Sequence, residues 1–132
     1  MKLEDDHFCF GCGTQNKEGL KLSFELKDDA LYSEFVPSKK FQGFKDIVHG
    51  GIIGLILDEL MVNLLWKRGT PAVSAQLDIR LKKMANVGQK LLFKSFVEKE
   101  DRRIIYTKAE ARDINSDLIA TASAKCVRIG RF

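Results

Sequence analysis

Three groups of residues in this 132-residue chain could do chemistry. One is a histidine followed by two glycines, His49, Gly50 and Gly51. The second is a pair of adjacent carboxylates, Asp58 and Glu59, nine and ten positions after that histidine. The third is a Cys-x-x-Cys pair, Cys9 and Cys12. A glycine-rich entry to a helix offers backbone N–H groups that no internal carbonyl satisfies and that carry partial positive charge. Such a terminus can hold a carbonyl oxygen as it becomes an oxyanion. Equally, Gly50 and Gly51 can serve only to permit a tight entry turn.

The carboxylates sit inside the stretch that those glycines open. Residues 48–66 read as one long helix, apolar on nearly every face through Ile52, Ile53, Leu55, Ile56, Leu57, Leu60, Met61, Val62, Leu64, Leu65 and Trp66. Such a helix belongs in a protein core or a membrane. Asp58 and Glu59 at its middle argue against lipid, so no membrane partner is expected. A buried carboxylate is costly unless hydrogen-bonded or paired. Asp58 therefore reads as a general base for water or a nucleophile on an acyl carbon, or else as a carboxylate paired with a polar neighbour. Glu59 is the rival, pointing ~100° round the helix from it. Gly50 and Asp58 are ~12 Å apart along a helix, too far for one carbonyl to touch both. If both act, they come from different subunits.

The remaining elements must position this helix. Residues 20–26 alternate apolar and polar, with Leu20, Leu22, Phe24 and Leu26 on one face, and read as a strand. Residues 30–36 form a second strand. The helix stops near Gly69, Thr70 and Pro71. Strands follow at residues 72–81, 91–97, 103–112 and 118–129. In the first of these Val73, Ala75, Leu77, Ile79 and Leu81 face one way. Every connection after the helix is short enough for a hairpin. The order β-β-α-β-β-β-β implies an α+β fold, a curved antiparallel sheet wrapped around one central helix, in a single domain spanning residues 1–132. One layer of sheet leaves the far side of the helix bare, so a twofold homodimer is expected.

Composition narrows the function further. The chain is 45% hydrophobic and 30% charged, with net charge +4 and a pI near 9.0. That mild excess suits a phosphate-bearing ligand or an ordinary solvated surface. With no arginine-rich run and no helix-turn-helix segment, nucleic acid is not an expected partner. The acidic, polar start lacks an apolar signal core, which points to the cytoplasm. Three cysteines do not make a secreted disulfide framework. Zinc usually takes four ligands; His7 is near Cys9 and Cys12, Cys126 is the one other cysteine and His49 the one other histidine. The reading adopted is a packed loop with free thiols and no metal; a metal site or a redox pair are its rivals.

Phe41-Gln42-Gly43 followed by His49-Gly50-Gly51, with Asp58-Glu59 at its spacing, resembles the hotdog-fold acyl-CoA thioesterases. The nearest likeness is to the phenylacetyl-CoA thioesterase-like branch of the 4-hydroxybenzoyl-CoA thioesterase superfamily. Cys9-Phe10-Gly11-Cys12-Gly13 with Gly19-Leu20 resembles the opening of many members, and Val73-Ser74-Ala75 the strand after the helix. The likeness runs over residues 8–127. It implies hydrolysis of an acyl-CoA thioester at a dimer interface, possible also in a dimer of dimers, without a cofactor. Asp58 matches the catalytic carboxylate, Gly50 the N–H donor on the thioester carbonyl, and His49 the neutral histidine beside it. His49 alternatively makes only a helix-entry hydrogen bond. Ser74 matches a residue that positions the attacking water, or is an ordinary strand serine; Gln42 matches a polar residue near the carbonyl. Two departures are Asp46, where relatives often have glycine, and Met84, where a proline usually ends the strand. Gly51, Glu59, Arg102 and Arg103 are the expected substrate contacts, with Lys82, Lys83 and Arg128 as further basic residues for the CoA phosphates. A non-catalytic acyl-CoA sensor and a hotdog dehydratase are alternatives on the same fold.

Overall fold

In the computed structural model, which describes residues 2–129, the chain runs β1 (Glu25–Lys27), β2 (Ala30–Phe35), a 3₁₀ turn (Lys39–Phe41), α1 (Gly50–Lys67), β3 (Ala72–Leu81), β4 (Leu91–Glu100), β5 (Ile104–Asp113) and β6 (Leu118–Arg128). Met1 and residues 130–132 of the expected domain lie outside the described residues. The six strands make one antiparallel sheet in the order β1-β2-β4-β5-β6-β3, and α1 packs across it. The element order is the expected one.

Helix α1 forms where its ends are chemically marked. His49 is the N-cap, and its Nδ1 accepts the Gly51 N–H at 2.9 Å. At the other end Gly69 takes φ 79°, the Gly69 N–H donates to the Trp66 carbonyl and the Thr70 N–H to the Leu65 carbonyl. This is a glycine-terminated C-cap that satisfies the last carbonyls. Ile56, Leu57, Leu60, Met61, Leu64 and Leu65 are fully buried. The Ser95 hydroxyl ties the sheet to the helix by donating to the Leu60 carbonyl at 2.7 Å.

The structure departs from the sequence reading in four places. The first strand is three residues long rather than seven. Lys21 takes φ 53°, which breaks an extended strand, and the Leu20 and Leu22 N–H groups donate to the Phe10 and Gly11 carbonyls of the N-terminal loop. Leu20 and Leu22 are buried as their alternation predicts, but Leu26 is exposed. Second, β3 and β4 do not form a hairpin. β3 pairs with β6 at the far edge, and residues 82–90 cross over, pinned by Val48 N–H to the Ala85 carbonyl and Val87 N–H to the Asp46 carbonyl.

Third, β3 carries a bulge between Ser74 and Gln76. One extra residue moves every later side chain to the opposite face. Val73 therefore does not share a face with Leu77, Ile79 and Leu81. Ser74 reaches α1 before the bulge, while Ile79 and Leu81 lie against Gly54 and Gly50 after it. Fourth, the far side of α1 is not bare. The N-terminal loop lies on part of it, through Cys9 to Glu59 and Cys12 to Asn63. Leu55, Asp58 and Val62 stay half-buried, and Trp66 is 42% exposed.

Candidate active site

The site is built around the two marked features of α1. At its start, the His49 backbone N–H donates to the Phe41 carbonyl, and the Ile52 and Ile53 N–H groups converge on the His49 carbonyl. Gly51 N–H is taken by the His49 ring. Gly50 N–H has no acceptor among the described residues. As an acceptor, Nδ1 carries no proton, so the neutral ring holds its proton on Nε2. His49 thus makes the helix-entry bond, and in doing so leaves Gly50 as the donor with nothing to bind.

Gly50 borders a cavity of about 800 Å³ lined by Phe44, Ile47, His49, Leu81, Lys82 and Met84 among others. Phe44, Met84 and Leu81 are 86%, 71% and 56% exposed, so this is an apolar mouth. A Cβ on residue 50 would stand 2.6 Å from Leu81 Cδ1. A side chain here would have to displace that leucine. In the sequence Leu81 reads only as a strand residue and Met84 only as a strand end, and Phe44, an isolated apolar residue in a polar loop, carries no periodic signal. Met84, beyond the end of β3, contributes to this mouth rather than to the strand.

Gln42 and Asp46 shape the loop before the helix. Asp46 takes φ 64°, the left-handed region that favours glycine, and its N–H donates to Gln42 Oε1 at 3.1 Å. Asp tolerates that conformation better than most residues, so the loop keeps its path without glycine. Gln42, His49 and Gly51 together line a smaller cleft of about 230 Å³.

Asp58 lies two helical turns on. Its Oδ1 accepts from Ser74 Oγ at 2.6 Å, and it forms no ion pair among the described residues. The carboxylate is half-buried. Nearby Cys126 is buried; burial pushes its thiol up from the ordinary range, Asp58 adds to this, and hydrogen bonds to Thr107 and Ser74 oppose it. The structure thus joins Asp58 with Ser74, and Gly50 with His49, but not one pair with the other. Asp58 does not line the cavity that Gly50 borders.

The remaining expected contacts are dispersed. Glu59 turns away from Asp58 and accepts from Cys9 Sγ at 3.1 Å. Lys82 and Lys83 rim the Gly50 cavity, with Lys83 engaged by Asp113 and Asp117. Those same two carboxylates raise the Lys83 pKa. Arg102 and Arg103 lie exposed at the β4–β5 turn. Ser74, Cys126 and Ile105 share a rung of the sheet. Arg103 is therefore two residues, about 7 Å, along and two strands, about 10 Å, across from Ser74. Arg128 is taken by Glu100 at 2.7 Å. Cys9 and Cys12 are free thiols packed on α1. Burial pushes the Cys12 thiol well up, with the charge of Glu59 and the neighbouring Cys9 adding to it. No described helix is long and apolar enough to cross a membrane.

No protein-family model and no curated protein matches this sequence. Solved structures do. One is a thioesterase superfamily protein, with TM-score 0.84, 22% identity and 89% of this chain covered; the chain spans 61% of that protein's length. Another is the PaaI protein of E. coli, from the phenylacetic acid degradation operon, with TM-score 0.78, 16% identity and coverage of 84% and 81%. A third is a hypothetical thioesterase protein from Streptococcus pneumoniae TIGR4. It has been solved with coenzyme A, at TM-score 0.78, 14% identity and coverage of 83% and 90%. It has also been solved as an aspartate-to-alanine and as a threonine-to-alanine mutant. One helix laid on a six-stranded antiparallel sheet, superposing on these structures at TM-scores of 0.78 to 0.84, gives the chain the hotdog fold of thioesterase-superfamily structures.

Proposed function

We propose that the protein is an acyl-CoA thioesterase acting as a homodimer in the cytoplasm, with residues 1–132 as one hotdog domain. The observation that carries this reading is the Asp58 carboxylate. It is half-buried on the central helix, held by one serine hydroxyl at 2.6 Å and matched by no cation among the described residues. A structural carboxylate at that depth would be expected to have a cationic partner or several donors. One held by a single hydroxyl keeps lone pairs for a water or an acyl carbon. The mutated aspartate and threonine of the Streptococcus pneumoniae protein are sixteen residues apart, the separation of Asp58 and Ser74 here.

In the proposed reaction the thioester carbonyl accepts the Gly50 N–H of one subunit. Asp58 of the partner subunit then takes a proton from water as the water oxygen bonds to the carbonyl carbon. The carbon–sulfur bond breaks, CoA leaves as thiolate and is protonated, and the free acid departs. Direct attack by Asp58, with water then cleaving the anhydride, gives the same products. His49 sets the helix entry, Ser74 orients Asp58, and Gln42 and Gly51 border the carbonyl. Lys82, Arg102 and Arg103, free of ion pairs among the described residues, are suited to the CoA phosphates. The dimer is favoured by the separation of Gly50 from Asp58, the unpaired outer edge of β3, and the exposed Val73 and Trp66.

The test is hydrolysis of a panel of acyl-CoA esters, aliphatic and phenylacetyl, by wild type and by Asp58→Asn. Turnover by wild type that is lost in Asp58→Asn supports the reading. Binding of acyl-CoA by a folded wild type without hydrolysis makes the protein a sensor instead.

A further inference from the structure

Cys9 Sγ, Cys12 Sγ and a Glu59 carboxylate oxygen all lie within 4.8 Å of one another. Two come from the N-terminal loop and the third from α1. We propose that these three residues bind one zinc-class divalent cation, which clamps the loop to the helix.

The donor set is the first argument. Two thiols and a carboxylate face one another, half-buried, and Glu59 forms no ion pair among the described residues. A thiol–carboxylate hydrogen bond is weak compensation for holding a carboxylate away from water. A divalent cation converts both thiols to thiolates and balances the charge that gathers there. Two sulfurs with one carboxylate match zinc rather than magnesium or calcium, which take oxygen ligands only.

Geometry is the second. With Zn–S near ~2.3 Å and Zn–O near ~2.1 Å, ligand atoms around a tetrahedral ion stand ~3.5–3.8 Å apart. Cys9 Sγ and Glu59 Oε1 are 3.1 Å apart, so small side-chain rotations admit the ion. A fourth donor is already aimed inward. Asn63 Nδ2 donates to the Glu59 carbonyl at 2.9 Å, which turns Asn63 Oδ1 toward Cys12 Sγ at 3.9 Å. The loop is shaped for this approach. A Cβ on Gly11 would collide with the Glu59 carboxylate, and one on Gly13 with the backbone of Cys9 and His7. The other cysteine and histidines take no part: Cys126 is partnered with Thr107, His49 caps α1, and His7 lies exposed beside Asp5.

The role is structural. Residues 7–22 contain no strand or helix, and the clamp fastens them to the residue next to Asp58. Because Glu59 points ~100° away from Asp58, the ion takes no part in the proposed hydrolysis. The inference therefore does not rest on the thioesterase reading.

The test titrates metal-free full-length protein with Co²⁺ and then Zn²⁺. The expected result is one Co²⁺ per chain, with sulfur-to-cobalt charge-transfer absorption and the ligand-field bands of a four-coordinate ion, displaced by one equivalent of Zn²⁺. Cys9→Ser and Cys12→Ser should each lose about half of the charge-transfer intensity, one sulfur of two. Glu59→Gln should keep that absorption but bind more weakly than the ~10–100-fold loss typical of an outer-shell partner. Cys126→Ser should titrate as wild type. A folded wild type that binds no Co²⁺ overturns the proposal, whatever the variants do. So does charge-transfer absorption that stays at full intensity in both Cys9→Ser and Cys12→Ser or vanishes in Cys126→Ser. Acyl-CoA turnover is no part of the readout, so this result and the hydrolase result can fail separately.

Discussion

If the active site is shared between subunits, then two inactive proteins should repair each other. The first carries Asp58→Asn. The second carries Gly50→Pro, which deletes only the N–H that has no acceptor among the described residues. Proline is well suited to this position. Gly50 is the first residue of α1, where proline is tolerated, and the preceding His49, with ψ 127°, is outside the α region that a residue before proline avoids. The one obstacle is steric. A Cβ at residue 50 meets Leu81 Cδ1 at 2.6 Å, and Leu81 is 56% exposed, so Leu81→Ala in every protein compared removes the clash at little cost. Against the Leu81→Ala parent, loss of an oxyanion donor should reduce kcat by ~10²–10³. Loss of a general base should reduce it by ~10²–10⁴.

Co-expression with two affinity tags isolates the mixed dimer. One of its sites then carries both defects, and the other carries neither, because Gly50 of one subunit meets Asp58 of its partner. The mixed dimer should show about half the kcat of the parent, since twofold symmetry gives two sites and one is intact. That is at least ~50-fold above either inactive homodimer. If each site lay within one subunit, each subunit of the mixed dimer would still carry one defect. Activity no higher than that of the inactive homodimers would refute the shared site and the reaction scheme built on it.

Three further outcomes follow from the geometry. Ser74→Ala removes the one hydroxyl that holds Asp58 among the described residues, a charge-assisted bond worth ~1.5–3 kcal/mol. Steady-state kinetics should show kcat lower by ~10–100-fold at unchanged KM, with Ser74→Thr restoring most of it. Gly54→Ala should raise unfolding free energy by ~0.5–1 kcal/mol in urea melts, because a Cβ there meets Ile79 at an ordinary 3.5 Å. For Asp113, burial works to raise the carboxyl pKa. The Asp117 and Asn115 backbone N–H groups and the Lys83 ammonium outweigh burial, and hold the pKa below the ordinary value. A depressed folded pKa contributes stability above the unfolded value, ~3.9, and loses it as pH falls through the folded one. Asp113→Asn should therefore be less stable than wild type at neutral pH, and urea midpoints should converge as the pH is taken below about 4.

The parts of this fold legible in the sequence are those set by local chemistry. The length of α1 follows from its apolar residues, its start from His49 and the glycines, and its end from Gly69. Strands β4, β5 and β6 follow from alternation between charged turns. What was not legible depends on contacts far apart in sequence. The alternation at residues 20–26 predicts a strand, but hydrogen bonds to Phe10 and Gly11 claim its backbone instead. The link at residues 82–90 is short enough for a hairpin, and nothing in it says that β3 will pair with β6.

The bulge in β3 shows why the candidate site was harder to read than the fold. Apolar residues fall on odd positions from Val73 to Leu81 without interruption, so period two predicts a single face and sends Ser74 away from it. The extra residue between Ser74 and Gln76 shifts the phase, and only then do Ser74 and Leu81 both reach α1. The two carboxylates pose the same problem from the helix side. Asp58 and Glu59 read as one acidic pair competing for one role, because a sequence shows them adjacent. On the helix they are ~100° apart, and each meets a different part of the chain: Asp58 the serine of β3, Glu59 the thiols of the N-terminal loop. Neither partner lies within fifteen residues of its carboxylate, the separations being 16 and 50. No local window contains the information that divides them. The division therefore has to come from the sheet register and the path of the loop, which is where substitution at Ser74 and at Cys9 should separate the two chemistries.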